Sequence, residues 1–374
     1  MSERRKEAAM DSDARPFAPR WLPLLTGGLP HTDPDEAWSA LLLRFPEIPA
    51  WPRLPRRSAL ENMYAQYSER FPGVAFEESG ILVDRRLNLD GGLESLYLAY
   101  LEGDLQHGEI SAGYASALDS LLSGHVTLPG SPVAVRGEIT GPVSWGLTIV
   151  DQDRRPILDD EVLEDAVAKH LRLKAAWQES ALASVCPQTL MIVNEPYMAS
   201  YGSATVSLKP TRIVELFEDV FAGLSGLKGI QCSGATDWAL LMRTSANLIS
   251  FDAYDYIDSL AATAADLGRF VDLGGLLVWG IVPAGGAARN ETVDSLVLRL
   301  ENGLDLLAEA GVCRERLVTQ AMVAPSASLT ALSVPLAEHI LDLTCEVSRS
   351  MQERYGQQVD VGPAPEPDGE EKEQ

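Results

Sequence analysis

The sequence predicts an α/β protein built as a single (β/α)8 TIM barrel, and three observations carry that prediction. First, five short apolar runs turn abruptly polar or irregular at their ends: TLMIVNEP at 189–196, the run from Leu224 into GIQCSGATDW, LISFDAY at 248–254, LLVWGIVP at 276–283 and LVTQAMVAPS at 317–326. Buried parallel strands read as continuous apolar text, and a barrel gathers its chemistry where such strands end. Second, starts near Leu22, Ile48, Val133, Leu190, Leu227, Ile249, Leu277 and Val318 give eight candidate strands separated mostly by helical text. Third, the chain has 374 residues and a hydrophobic content of 46%, ample for one large core, and such barrels run as single domains of about 250 residues or more.

Charge and cysteine usage exclude several classes of function. The formal charge is −24, and the segment 357–374 supplies only −5 of it, from six acids against Lys372. The body is therefore acidic too, which argues against a nucleic-acid partner, whose phosphates are bound by Lys and Arg. Cys186, Cys232, Cys313 and Cys345 are scattered without a CxxC pair, so neither a disulfide framework nor a zinc ribbon is expected, and a reducing cytoplasm fits. Residues 1–15 are charged and lack an apolar core, so no secretory signal is expected. The longest apolar stretch, 276–288, is broken by Pro and Gly and falls short of the ~20 residues of a spanning helix, so no membrane partner is expected.

In chain order, residues 1–19 read as a flexible leader, 20–356 as the barrel and 357–374 as an acidic disordered tail. WLPLL enters TGGLPHTDPDEAW, where Gly27 and Gly28 allow a tight turn and Asp33 caps a helix opened by Pro34. Such a turn can offer backbone N–H groups to a carboxylate, with His31 as donor or proton carrier. It can equally be a plain βα connection with a solvent-facing His31. IPAWPRLP at 48–55 is a short strand running into an irregular loop. Residues 61–68 are helical in pattern, 74–90 suggest a hairpin excursion, and a second helical region spans 93–122.

VAVRGEITGP brings Glu138 and Thr140 toward the barrel mouth. The clearest helix follows, with a capping Asp159, an acidic first turn, and Leu163, Val167 and Leu171 on one face; His170 inside it reads as structural. Asn194 and Glu195 close an apolar strand, where a carboxylate meets either a buried cation or a ligand's positive group. A helix over 211–224 buries Ile213, Leu216, Phe217 and Val220. Asp252 lies at a similar strand end, Trp279 and Gly280 at the next, and Pro325 and Ser326 at the last. Helices over 292–310 and 336–355 complete the chain.

These strand ends, in this order, resemble the superfamily shared by the C-terminal barrel of cobalamin-independent methionine synthase, uroporphyrinogen decarboxylase and the corrinoid-linked methyltransferases. The resemblance covers most of residues 21–355 and rests on TGGLPHTDPDEA, FPEIPAWPRLP, GEITGP, NEP with YMASYGSA, CSGATDW, SFDAY, WGIVP and APSASL. It implies methyl transfer to a small homocysteine-like thiol, with a zinc ion that generates the thiolate and a corrinoid protein as a possible methyl donor docking over the strand ends. It also implies that the Gly27-Gly28-Leu29-Pro30 turn takes an amino-acid carboxylate, that Asn194 and Glu195 stand where the family has Asp-Glu, with Glu195 holding an ammonium group, and that Glu138 and Trp279 border the substrate.

At the zinc-ligand places this sequence holds Gln231, Ser233 and Ala327, which cannot supply thiolate, imidazole or carboxylate. The expectation is therefore a barrel without zinc or other cofactor, in which Cys232 and Asp252 are the remaining catalytic candidates and Cys232 is either a nucleophile or a buried apolar side chain. Two other functions stand beside methyl transfer: a non-catalytic ligand-binding or scaffolding paralogue, and a zinc-independent decarboxylase-like lyase, for which Arg53, Arg56 and Arg57 are the nearest substrate-binding arginines.

Overall fold

Six of the apolar runs pair side by side. In the computed structural model, which describes residues 17–78 and 80–356, the strands are β1 (Val74–Glu77), β2 (Gly80–Val83), β3 (Val135–Thr140), β4 (Val150–Asp151), β5 (Thr189–Asn194), β6 (Leu227–Cys232), β7 (Leu248–Phe251), β8 (Leu276–Val282) and β9 (Ala321–Pro325). β3, β5, β6, β7, β8 and β9 form one curled sheet in that order, every pair parallel. All positions of β3, β5, β7, β8 and β9 are buried, as parallel strands covered on both faces require.

The two remaining predicted strands are single bridges. Pro23 pairs in parallel with Val323 and Ala50 with Arg136, so each edge of the six-stranded sheet carries one further segment. Hydrogen bonds from Leu24 N to Val323 O (2.8 Å) and from Arg136 N to Pro49 O (2.9 Å) hold them. Longer ladders are blocked because Pro23, Pro49 and Pro52 have no N–H to donate.

The curl separates two hydrophobic layers. One cluster contains Leu24, Ile48, Ala134, Leu190, Ile192, Leu248, Leu276, Val278, Met322 and Ala324, all from strands or the bridging segments and none from a helix; it fills the concave interior. The larger cluster, which includes Met191, Val193, Ile230, Cys232, Phe251 and Trp279, packs the opposite strand faces against the helices. Side chains alternate along a strand, so these lists fix which residues look inward.

Most predicted helices form, with corrected ends. Asp33 caps Pro34–Leu42 by accepting from Asp35 N and Glu36 N. The long helix is Glu161–Ala183, and its cap is Asp160 rather than Asp159: Asp160 has the extended backbone from which its carboxylate reaches Val162 N and Leu163 N, whereas Asp159 ends a 3-10 turn. The predicted helix over 93–122 divides into Leu89–Glu102 and Ser116–Leu122, because Gly103 adopts φ 68° and ends the first. Residues 61–68 make only turns after the 3-10 helix Ala59–Glu61. Glu61 is turned inward there, accepting from Leu54 N (3.2 Å) and Ser116 Oγ (2.8 Å), which anchors a loop instead of a helix face. Val318, predicted to start the last strand, belongs to the helix Arg314–Thr319.

The 74–90 excursion is the β1–β2 hairpin, with β4 added in parallel to β2. No helix among the described residues is long and apolar enough to cross a membrane. The expectations for residues 1–16 and 357–374 lie outside the described residues.

Candidate functional site

Above the apolar interior, the inward face turns polar at the C-terminal strand ends. Glu138 and Thr140 follow Arg136 on β3; Asn194 follows Ile192 on β5; Gln231 follows Gly229 on β6; Ser250 and Asp252 follow Leu248 on β7; Ser326 follows Ala324 on β9. All are buried. Barrel sites are assembled here because successive loops converge at this end.

At the β3 edge of the mouth lies an ion triad. Arg53 Nη2 lies 2.6 Å from Glu138 Oε1, and Arg136 Nη2 lies 2.5 Å from Glu138 Oε2. Burial would raise the Glu138 carboxyl, but the two guanidiniums outweigh it and hold the group down at about 2. Gln178 and Tyr67 fix the strand beneath: Tyr67 donates from its hydroxyl to Glu138 O (2.5 Å), and Gln178 donates to the same carbonyl (2.9 Å) while accepting from Glu138 N (2.8 Å). Around the triad, Thr140 donates to Met63 O (2.6 Å) and Ser326 Oγ accepts from Ala284 N (3.1 Å). Gln231 Oε1 is buried without a donor. Asp252 accepts from Tyr254 N and Asp255 N, both at 3.0 Å, and burial raises its carboxyl to about 6 despite them.

Three predicted site residues point elsewhere, because each is one position out of phase with the inward face. Glu195, next to inward Asn194, turns to the N-terminus of the helix Pro142–Thr148 and accepts from Val143 N (2.9 Å), Ser144 N (2.8 Å) and Ser144 Oγ (2.5 Å). It caps that helix rather than meeting a ligand's ammonium, and complete burial raises its carboxyl to about 7. Trp279 packs outward, its ring 5.2 Å from Phe251 and beside Gly303 of the helix Val293–Glu309. Cys232 also belongs to the outer layer.

For Cys232, burial pushes the thiol up to about 11. At neutral pH only about one thiol in ten thousand would be ionised, too few for a nucleophile. Native-state labelling with iodoacetamide is expected to modify exposed Cys313 first and to leave Cys232 intact until unfolding; rapid stoichiometric labelling of Cys232 at neutral pH would restore the nucleophile.

The glycine turn is occupied by the protein itself. Gly27 has φ 69°, and a Cβ there would stand 2.5 Å from Ser328 Cβ; one on Gly28 would stand 2.7 Å from Arg53 O. Gly28 N donates to Ser328 Oγ (3.1 Å) and Leu29 N to Arg53 O (2.9 Å), so these N–H groups are not offered to an anion. Instead the turn locks the first loop to the last. His31 is buried, not solvent-facing, with Nε2 3.4 Å from Glu338 Oε1 of the helix Val334–Tyr355.

The fold is similar to that of methyltransferase barrels. A B12-independent methionine synthase from Shewanella sp. W3-18-1 in complex with selenomethionine matches over 90% of this chain and 99% of its own, at 14% identity and a TM-score of 0.57. A putative vitamin-B12-independent methionine synthase from Listeria monocytogenes matches over 91% and 100%, at 11% identity and 0.54. A methyltransferase from Methanosarcina mazei matches over 89% and 94%, at 12% identity and 0.55. No protein-family profile and no curated protein matches this chain.

The residues standing where the resemblance implies zinc ligands do not fit a zinc ion. Gln231 presents an amide, Ser233 and Ala327 are half-buried at the lip, and Cys232 faces the helices as a thiol. Among the described residues no group of three His, Cys, Asp or Glu side chains is placed to hold a metal.

Two further groups of the mouth are marked in the sequence by strand parity alone. Arg136 stands two positions before Glu138, and Ser250 two before Asp252, so each shares its partner's strand face. Arg53 is a candidate arginine in the sequence, but its pairing with Glu138, 85 positions away, has no local signal.

Proposed function

We propose that this chain is a methyltransferase-like barrel that binds a small amino acid or thiol at its strand ends and does so without zinc. The supporting observation is the inward ring of Asn194, Gln231, Ser250, Asp252 and Ser326 over an apolar floor, with the Gln231 carbonyl lacking a partner. In the same reading residues 20–356 form one unit, and the bridging segments at Pro23 and Ala50 complete an eight-stranded ring.

Binding is favoured over zinc-thiolate methyl transfer by the donor set and by the outward, protonated Cys232. A corrinoid protein then has no activated acceptor to serve. A decarboxylase-like lyase loses support because Arg56 donates to Ala331 O (2.9 Å) and Arg57 pairs with Glu61 (2.8 Å), leaving Arg53 alone of the three at the mouth.

Elemental analysis together with calorimetric titration of L-homocysteine and L-methionine tests the reading. Zinc far below one per chain and saturable binding without turnover are expected. Stoichiometric zinc with methyl transfer to homocysteine would overturn it.

A further inference from the structure

We propose that the mouth recognises the carboxylate of its ligand through the guanidinium pair Arg53 and Arg136, and not through the glycine turn. The proposal rests on the small-ligand reading above and names the group recognised. Arg cannot lose its proton in a protein, so two guanidiniums sharing one carboxylate leave one net positive charge. That charge is deeply placed: Arg53 is 4% exposed, Arg136 1% and Glu138 3%.

An uncompensated buried charge costs several kcal/mol. Among the described residues neither guanidinium forms an ion pair with any carboxylate but Glu138. Asp252, the other inward acid, is engaged by two backbone N–H groups, and nothing cationic offsets the rise that burial gives its carboxyl.

Hydrogen bonding leaves one donor and one acceptor open. Arg136 Nε is buried without an acceptor, and Gln231 Oε1 is buried without a donor. Strand register sets Gln231 level with Thr140, one inward step beyond Glu138 toward the lip. The interior thus lacks one negative charge and one acceptor beside the arginines, and one donor at Gln231, two strands away toward the lip. A monoanionic carboxylate bearing an N–H or O–H group, as in an α-amino acid, supplies all three. The glycine turn supplies none, since Gly28 N and Leu29 N already have partners.

The test compares wild type with Arg136→Met and Arg136→Lys, using L-methionine, L-methioninol and acetate as probes at ionic strength matched with chloride. Arg136→Met leaves a balanced Arg53–Glu138 pair, so the unliganded variant should fold and melt no lower than wild type. Methionine affinity is expected to fall about tenfold or more in Arg136→Met, the loss of one charged hydrogen bond, and less in Arg136→Lys. Methioninol, which lacks the carboxylate, should bind wild type weakly, and acetate should raise the Tm of wild type but not of Arg136→Met. Unchanged methionine binding in Arg136→Met, or methioninol binding as well as methionine, would overturn the arginine assignment and leave the small-ligand reading standing. If neither methionine nor acetate acts on wild type, both readings fail.

Discussion

Replacing Glu138 with alanine is expected to destabilise the protein by about 3–5 kcal/mol, because it leaves two buried guanidiniums with no counter-charge. A folded domain has only about 5–15 kcal/mol in hand, so the variant should aggregate or unfold at much lower denaturant. Glu138→Gln should cost less, since its amide oxygen can still accept from one arginine. Arg136→Met should be nearly neutral, because it removes the excess charge and keeps a pair. This order, alanine worst and Arg136→Met mildest, separates a charge-balance effect from simple packing loss. An alanine variant whose urea midpoint matched wild type would show that the triad carries no such burden.

The second large effect is a pH dependence centred on Glu195. Burial raises its carboxyl above the usual value of 4.5 to about 7, opposed in part by the Ser144 hydroxyl and the Ser144 and Val143 N–H groups. A group whose folded value is raised contributes stability that is complete below 4.5 and is lost as pH rises through about 7. The difference corresponds to about 3 kcal/mol, at roughly 1.4 kcal/mol per pH unit. Asp252 adds a loss of the same sign at lower pH, between 3.8 and about 6. Lys174, lowered by burial to about 7, acts with the opposite sign above that pH. Glu195→Gln mimics the protonated form, so urea unfolding across pH 4.5–7.5 should show a shallower decline for the variant than for wild type. Equal slopes would mean that Glu195 is ionised throughout and that its helix cap carries the charge without cost.

This placement of Glu195 shows where sequence reasoning about the site ran out. Asn194 and Glu195 are adjacent at one strand end, and the sequence points both toward a ligand. Neighbouring strand residues point to opposite faces, so only one of them can look into the concave side of the sheet. The same parity separates Gln231 from Cys232 and Gly280 from Trp279. Period-two alternation gives the two sets of residues, but only the curl of the sheet says which set is interior.

The sequence by itself determined the strand and helix text: continuous apolar runs for buried strands, and Asp33 and Pro34 for a helix start. These follow from local rules that act over a few residues. Tertiary structure alone decided that Glu195 caps a helix, that Ser328 fills the space beside Gly27, and that Arg53 joins Arg136 on Glu138. Each of those facts joins residues 50 to 300 positions apart or selects one of two equivalent strand faces. Burial, charge pairing and pKa arise from such contacts, and so the chemistry of the mouth became legible only with the sheet curled around it.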